Sequence, residues 1–385
     1  MTTVVVSGAI ANKHLNGGES WVRLNWALGF RKLGFKVFFV EQIGANSCVD
    51  GRGEKAAFED SENLAYFKKV LEQFGLFESS ALVYEDGLKS FGLSFSELLE
   101  VALEADLLIN ISGHLRLEPL IKRLRRKVYV DIDPGFTQFW HADENIDFCV
   151  GGHDFYYTIG ENIGQADCLI PTGGIKWRDI RPPVVLDFWQ PVKSSKNARF
   201  TTIANWRGPF GSIQYNGKTF GLKVHEFRKF IELPERTKQQ FEIALNIHPA
   251  ESEDLNRLVN HNWHIIAPQD VANDPINFRN YVQKSKAEFS VAQGVYVDTN
   301  SGWFSDRTVD YLASGKPALV QDTGFSRNYP VGEGLMPFRN LKEAVNGAEQ
   351  IAGDYEKHCR AARQLAEEYF DSDKVLTRLI NEVGI

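Results

Sequence analysis

The sequence predicts an α/β protein of two Rossmann-like, doubly wound parallel-sheet domains facing each other across a cleft. Three observations predict it. Short aliphatic runs alternate with amphipathic stretches along nearly the whole chain. A polar segment, Gln190 to Ala198, interrupts this alternation once, and the pattern then restarts. The chain has 385 residues, more than one ordinary core holds.

The first unit opens with the β-branched run Val4–Val6 and a loop ending in Asn16-Gly17-Gly18-Glu19. The stretch Ser20–Leu33 carries Val22, Trp26, Phe30 and Leu33 at helical spacing, and Gly34 suits its C-terminal cap. Lys36–Val40 is the next strand, which completes a β-loop-α-β unit and implies parallel pairing. Helices are expected over Leu64–Phe74, Phe95–Leu103 and Leu117–Arg126. Strands are expected over Asp106–Ile111, Lys127–Asp131, 147–150 and Cys168–Pro171. Residues 1–190 thus form the first domain and 191–198 a linker.

The second unit, 199–370, repeats the scheme. Strands are expected at Arg199–Ala204, Phe241–Leu245, His264–Ile266, Ala287–Val291 and Pro317–Val320. Helices are expected at Val224–Ile231, Asn277–Lys284, Arg307–Ala313, 341–352 and 354–370. Residues 371–385 form a terminal helix, with packing back on the first domain as one option.

Composition narrows the function. A net charge of −7 and a pI near 5.8 leave no global basic footprint for nucleic acid. The run 122–127 is the densest in cations and reads as a solvated helix end. Four cysteines lie far apart without a CxxC pair, which suits free thiols in a reducing, cytoplasmic setting. The first residues read as a strand rather than a signal peptide, and no stretch approaches the ~18 apolar residues of a membrane span.

Parallel sheets bind ligands beyond the carboxyl ends of their strands, so residues just after strands carry most weight. Gly17-Gly18 could bring backbone amides to an anion at a helix start. His114 follows the strand Asp106–Ile111 and could serve a sugar hydroxyl or the reacting carbon. Asp131 could accept an acceptor's proton, whereas Asp133, before Pro-Gly, reads as an Asx turn. The loops 44–60 and 135–146 are acceptor candidates, with Phe139 and Trp140 able to stack a ring. In the second unit, Arg207, Lys218 and Lys223 flank a glycine-rich loop and could neutralise a departing diphosphate. The loop Ser301-Gly302-Trp303-Phe304 leads into a helix whose start offers amides to a diphosphate. There Asp310 could hold ribose hydroxyls, and Arg307 could bind phosphate or pair with Asp310. No GxGxxG, P-loop or GxSxG occurs, and no His/Asp/Glu set has metal spacing, so neither cofactor nor metal is expected.

The Gly315-Lys316-Pro317 block, the turn Val331–Leu335 and the C-terminal helices resemble the retaining GT-B glycosyltransferases of the family-four type (glycosyl transferases group 1). In that family two glutamates eight positions apart precede A-x-G-x-P. The second, which contacts the donor ribose, falls on Asp310. The first falls on Gly302, which leaves the amides of Ser301–Phe304 to replace its contact with sugar hydroxyls. Gly17 and Gly18 resemble the family's loop under the donor phosphates, and His114 its histidine near the transferred sugar. Ile170–Ile175, with Pro191, resembles its hinge approach. The family's basic pair maps to Arg207 and Lys223, with Lys218 a rival for the second place. Pro268–Val271 falls on the base-binding loop. The resemblance implies transfer from a nucleoside diphosphate-sugar, UDP-linked before GDP-linked, to an acceptor hydroxyl with retention. The wording Ser-Gly-Trp-Phe-Ser-Asp-Arg sets this chain in a divergent subgroup. An epimerase of the same fold and a non-catalytic nucleotide or glycan binder are the alternatives.

Overall fold

The computed structural model describes residues 2–142, 150–208 and 210–385. The first eight strands are β1 (Thr3–Ser7), β2 (Lys36–Ile43), β3 (Ser80–Tyr84), β4 (Lys89–Gly92), β5 (Leu107–Ile111), β6 (Lys127–Asp131), β7 (Phe155–Thr158) and β8 (Trp177–Asp179). They form one sheet in the order β4-β3-β2-β1-β5-β6-β7-β8, in which only β4 runs antiparallel. Every residue of β1 is buried, as a central strand covered on both faces requires.

The second set is β9 (Phe200–Asn205), β10 (Ile213–Tyr215), β11 (Lys218–Phe220), β12 (Phe241–Asn246), β13 (His264–Ile266), β14 (Ala287–Ser290), β15 (Ala318–Gln321) and β16 (Leu335–Phe338). Six of them make a parallel sheet, β13-β12-β9-β14-β15-β16, while β10 and β11 pair as a separate hairpin. Strand order reverses direction at β1 in one sheet and at β9 in the other. Each sheet therefore has a crevice at the carboxyl end of its first strand.

Several local expectations are corrected. The helix expected over Leu117–Arg126 is one turn, Glu118–Ile121, because β6 already begins at Lys127. Cys168–Pro171 is not a strand: Leu169 donates its amide to the Thr299 carbonyl of the second domain (2.9 Å), and Pro171 has no amide to give. Of the strand expected over 147–150, residues 147–149 lie outside the described residues and Val150 is not in a strand; β7 follows later. The helix expected over Val224–Ile231 is Lys223–Phe227 followed by a 3-10 turn, Arg228–Phe230. The strands β4, β10 and β11 escape the alternation rule because they are short and partly exposed.

Between the two sheets, the chain at Val192 and Ser194 is pinned by Lys316, whose Nζ donates to the Val192 carbonyl (2.6 Å) and Ser194 Oγ (2.7 Å). Near its end the chain returns: Val184 donates to Phe370 O, and Ser372 to Val184 O. The last helix, Ser372–Val383, packs on the first, Gly17–Lys32, where Gly29 leaves room for Leu376. Among the described residues, no helix is long and apolar enough to cross a membrane.

Candidate active site

A cleft of ≈ 520 Å³ opens between the carboxyl ends of the two sheets. Its first-domain wall comes from the loop after β1, the start of the first helix, and Asp133 and Phe136 after β6. The opposite wall comes from the loops after β9, β12 and β14 and from the start of the helix Asp306–Ala313.

Glu41 moulds the loop after β1. Its buried carboxylate accepts the amides of Ile10, Ala11 and Asn12 and the Asn12 side chain, all at 2.8–2.9 Å. The first helix then starts at Gly17, with Asn16 capping the Glu19 amide (3.2 Å). The two glycines divide their work. Gly18 lines the cleft. Gly17 does not; a Cβ there would lie 2.1 Å from the Asp274 carbonyl oxygen, so it permits close contact with the helix Pro275–Lys284. Trp21 Nε1 seals that contact on the Pro275 carbonyl (2.7 Å).

Lys223 faces the cleft without an ion pair or hydrogen bond among the described residues, as does the more exposed Lys13. Burial, with Arg307 nearby, pushes its amine down to about 7. Arg307 also lines the cleft, but its guanidinium is committed to Glu288 (2.8 Å), the Ile203 carbonyl (2.7 Å) and Ser290 (3.0 Å). Its ion pair is with Glu288 in the neighbouring strand rather than with Asp310 three residues along the helix. Asp310 lies on the cleft floor, 3% exposed, with Asn25 beside it. Burial, reinforced by Asp306 and Glu288, holds its carboxyl well above the usual range.

Asp306 opens the helix and lines the cleft; burial pushes its carboxyl up to about 7. Ser305 at the cap position gives no side-chain bond to the helix amides. Across the cleft, Asp133 accepts the Tyr296 hydroxyl (3.1 Å), and burial with the charge of Glu19 raises it to about 6. Glu19 is ion-paired with buried Arg23; although burial opposes it, Arg23 and Lys13 hold its carboxyl low.

Other expected residues stand elsewhere. Arg207 is 46% exposed and ion-paired with Glu251, outside the cleft lining. Lys218 is exposed on the β10–β11 hairpin, since the longer loop turns back on itself there. Of the loop amides Ser301–Phe304, those of Ser301, Gly302 and Trp303 are already bonded to Tyr296 O, Thr323 O and Ser301 Oγ. Phe304 stacks on Phe370 in the core (5.1 Å), while the Trp303 side chain lines the cleft over Tyr296 (4.5 Å). Pro268 lines the cleft at the start of a short helix, and Val271 turns to the core. Asp131 is no base for an acceptor: it is fully buried and accepts bonds from Thr137, Gln138 and Thr158 (2.7–2.8 Å). Trp140 packs with Phe136 and Phe210, which flank the cleft mouth. Residues 143–146 of the acceptor loop lie outside the described residues. His114 is not in the cavity wall; burial and the charges of Arg23 and Lys13 lower it to about 3, so it is neutral.

The sequence missed Glu19 and Asp306, because a first-turn carboxylate is ordinary helix chemistry. Asp133 was legible only as a turn residue.

No family model matches this chain, and neither does any curated protein sequence. Its fold, however, matches solved structures over their whole length. An alpha-glucosyltransferase in complex with UDP aligns at 12% identity and TM-score 0.58, with 100% of each chain covered. HepE from Anabaena, in complex with UDP and glucose, aligns at 12% identity and TM-score 0.58, covering 100% of this chain and 99% of that one. Sucrose-phosphate synthase from Thermosynechococcus elongatus aligns at 11% and 0.56, with the same coverage. The chain therefore has the fold of the GT-B glycosyltransferases, two Rossmann-like domains opposed across one cleft.

Proposed function

We propose that this protein transfers a glycosyl group from a UDP-sugar to an acceptor hydroxyl, with retention and without a metal. The observation that carries this reading is Lys223: a cleft-facing cation without a counter-ion, beside a helix start whose amides lack a side-chain cap. A diphosphate supplies the counter-charge that Lys223 lacks and an acceptor for the uncapped amides. Asp310 holds the ribose, with Pro268 near the base. Gly18 lets the first-domain backbone approach the phosphates, and neutral His114 supports the sugar side from behind Glu19 and Arg23. Asp133, raised to about 6 and steadied by Tyr296, takes the acceptor's proton. Phe136 and Phe210 at the mouth offer an apolar face to the acceptor, which is a carbohydrate or aglycone rather than nucleic acid.

The test is thermal unfolding with UDP, GDP, ADP, TDP and CDP. At a hundredfold excess over Kd, a bound nucleotide stabilises by about 2.7 kcal/mol. Selective stabilisation by UDP that disappears in Lys223→Ala supports the reading. No stabilisation by any of the five sinks it. A companion assay of UDP-sugar without acceptor separates transfer from epimerisation, which alone would convert the donor.

A further inference from the structure

We infer that the loop between β7 and β8 is a clasp through which the first domain sets the shape of the second domain's cleft wall, with Asn162 as its positioning residue. Asn162 is 1% exposed and stands outside the cleft lining. Among the described residues, its side-chain hydrogen bonds all go to the second domain. Its amide donates to the carbonyls of Asn300 (3.0 Å) and Gly324 (3.3 Å), and its oxygen accepts from Asn328 Nδ2 (3.2 Å). Its backbone N–H goes to the Ser301 carbonyl (3.1 Å). An asparagine side chain has two N–H donors, so both are spent across the domain boundary.

The second domain's chain bends around that side chain. Asn300 (φ +55°), Gly302 (φ +72°) and Gly324 (φ +94°) all stand in the left-handed region. A Cβ at Gly302 would lie 2.7 Å from Asn162 Cγ, and one at Gly324 would lie 2.7 Å from Asn162 Nδ2. The space that a side chain at 302 would take is thus held by a residue of the other domain. The rest of the loop grips the same stretch. Gly160 bridges Trp303, Leu169 donates to the Thr299 carbonyl (2.9 Å), and Asp167 accepts from Asn300 Nδ2 (2.8 Å) and from Arg327 (2.8 Å). Glu161 accepts the Tyr329 hydroxyl. The Asp167–Arg327 pair is 59% and 40% exposed, so it is a weak rim. Loss of the buried Asn162 amide, by contrast, strands two carbonyls.

This shape reaches the cleft through Trp303. Ser301 Oγ accepts the Trp303 amide (3.1 Å) and donates to the Tyr296 carbonyl (3.0 Å). Thr323 donates to the Trp303 carbonyl (2.6 Å), so the residue is held at both its backbone groups. Its ring lies on Tyr296 (4.5 Å), whose hydroxyl donates to Asp133 (3.1 Å). Contacts therefore run from Asn162 through Trp303 and Tyr296 to Asp133, and only the role of Asp133 as a base rests on the transfer reading above.

The experiment is hydrogen–deuterium exchange of the full chain, read by mass spectrometry on peptides covering 160–170 and 299–304, with β1 and β12 as references. In wild type, across a urea series below unfolding, 160–170 and 299–304 open as one unit with the same urea dependence. In Asn162→Ala both exchange about tenfold or more faster, while β1 and β12 stay within about twofold. In Arg327→Ala, which loosens the rim alone, both stay within about threefold of wild type. A second readout follows the ring. The near-ultraviolet circular-dichroism difference between wild type and Trp303→Phe, which reports the stack on Tyr296, disappears when the same pair is compared in the Asn162→Ala background. Independent opening of the two segments in wild type would overturn the clasp. So would unchanged exchange at 299–304 in Asn162→Ala, equal acceleration of the reference strands, or an undiminished dichroism difference. If Asn162→Ala does not fold, the wild-type urea series decides alone. No nucleotide enters the experiment, so a chain that binds no UDP sinks the transfer reading and leaves this result to stand or fall by itself.

Discussion

Lys223 shows how a single residue can be costly to the fold and useful to the site. Its amine titrates near 7 in the fold against an ordinary 10.5, so the unfolded chain binds more protons between these values. Its penalty is fully present below about pH 7 and fades as pH rises toward 10.5. Lys223→Met is therefore expected to raise stability at neutral pH by roughly 1–3 kcal/mol while abolishing UDP binding. Urea unfolding and calorimetry check the two halves separately. Only the ammonium attracts a diphosphate, so on the proposed reading UDP affinity should fall as pH rises through about 7. Lys223→Arg flattens that profile over pH 6–9, which isolates this group from Asp306. Asp133→Asn should leave UDP affinity unchanged and lower kcat by about a hundredfold or more. Equal kcat in that variant would remove Asp133 from the chemistry. Glu41→Gln turns an amide donor toward two backbone donors, and is expected to cost about 1–3 kcal/mol per stranded group in thermal unfolding.

The first helix carries the contact between the domains and one wall of the cleft. Its paired glycines looked alike in sequence, and both read as phosphate-loop residues. The structure separates them by what lies opposite. Gly17 meets the Asp274 backbone, which cannot move aside, whereas Gly18 meets the far edge of the Phe278 ring at 2.9 Å. Gly17→Ala should therefore destabilise by about 3 kcal/mol and weaken UDP binding, while Gly18→Ala costs less than half as much. Thermal unfolding with and without UDP orders the two variants; the reverse order would contradict the packing described.

Across the whole molecule, an apolar cluster bridges the two domains at the cleft mouth. Phe139 after β6 stacks on Phe220 of β11 (5.2 Å) and packs on Tyr215 of β10 (5.0 Å), with Ile170 and Tyr296 in the same cluster. The β10–β11 hairpin thus straps the second domain to the first beside the cleft. Phe139→Ala and Phe220→Ala should each cost about 3–5 kcal/mol. Together they should show a coupling of about 0.5–1.5 kcal/mol in a double-mutant cycle. Loss of the strap should also enlarge the radius of gyration in small-angle scattering. An unchanged radius would mean that the other contacts between the domains, Gly17 on Asp274 and Leu169 on Thr299 among them, hold the cleft closed.

The sequence by itself determined the architecture: strand and helix periodicity, one polar break and the chain length suffice for two parallel-sheet units, because burial on both faces leaves continuous aliphatic runs. It also placed Gly18, Lys223, Pro268, Trp303, Arg307 and Asp310 at strand ends and helix starts, where the cleft lies. Only the tertiary structure decided which of these groups are free to act. Arg207 and Arg307 look equivalent to Lys223 in the sequence, yet Glu251 and Glu288 claim them through pairings 44 and 19 residues apart. Likewise Asp131 and Asp133 differ by two positions and point to opposite fates. One is satisfied by Thr137, Gln138 and Thr158, and the other faces the cleft. Availability of a charge depends on what packs against it, and that depends on contacts distant in the chain.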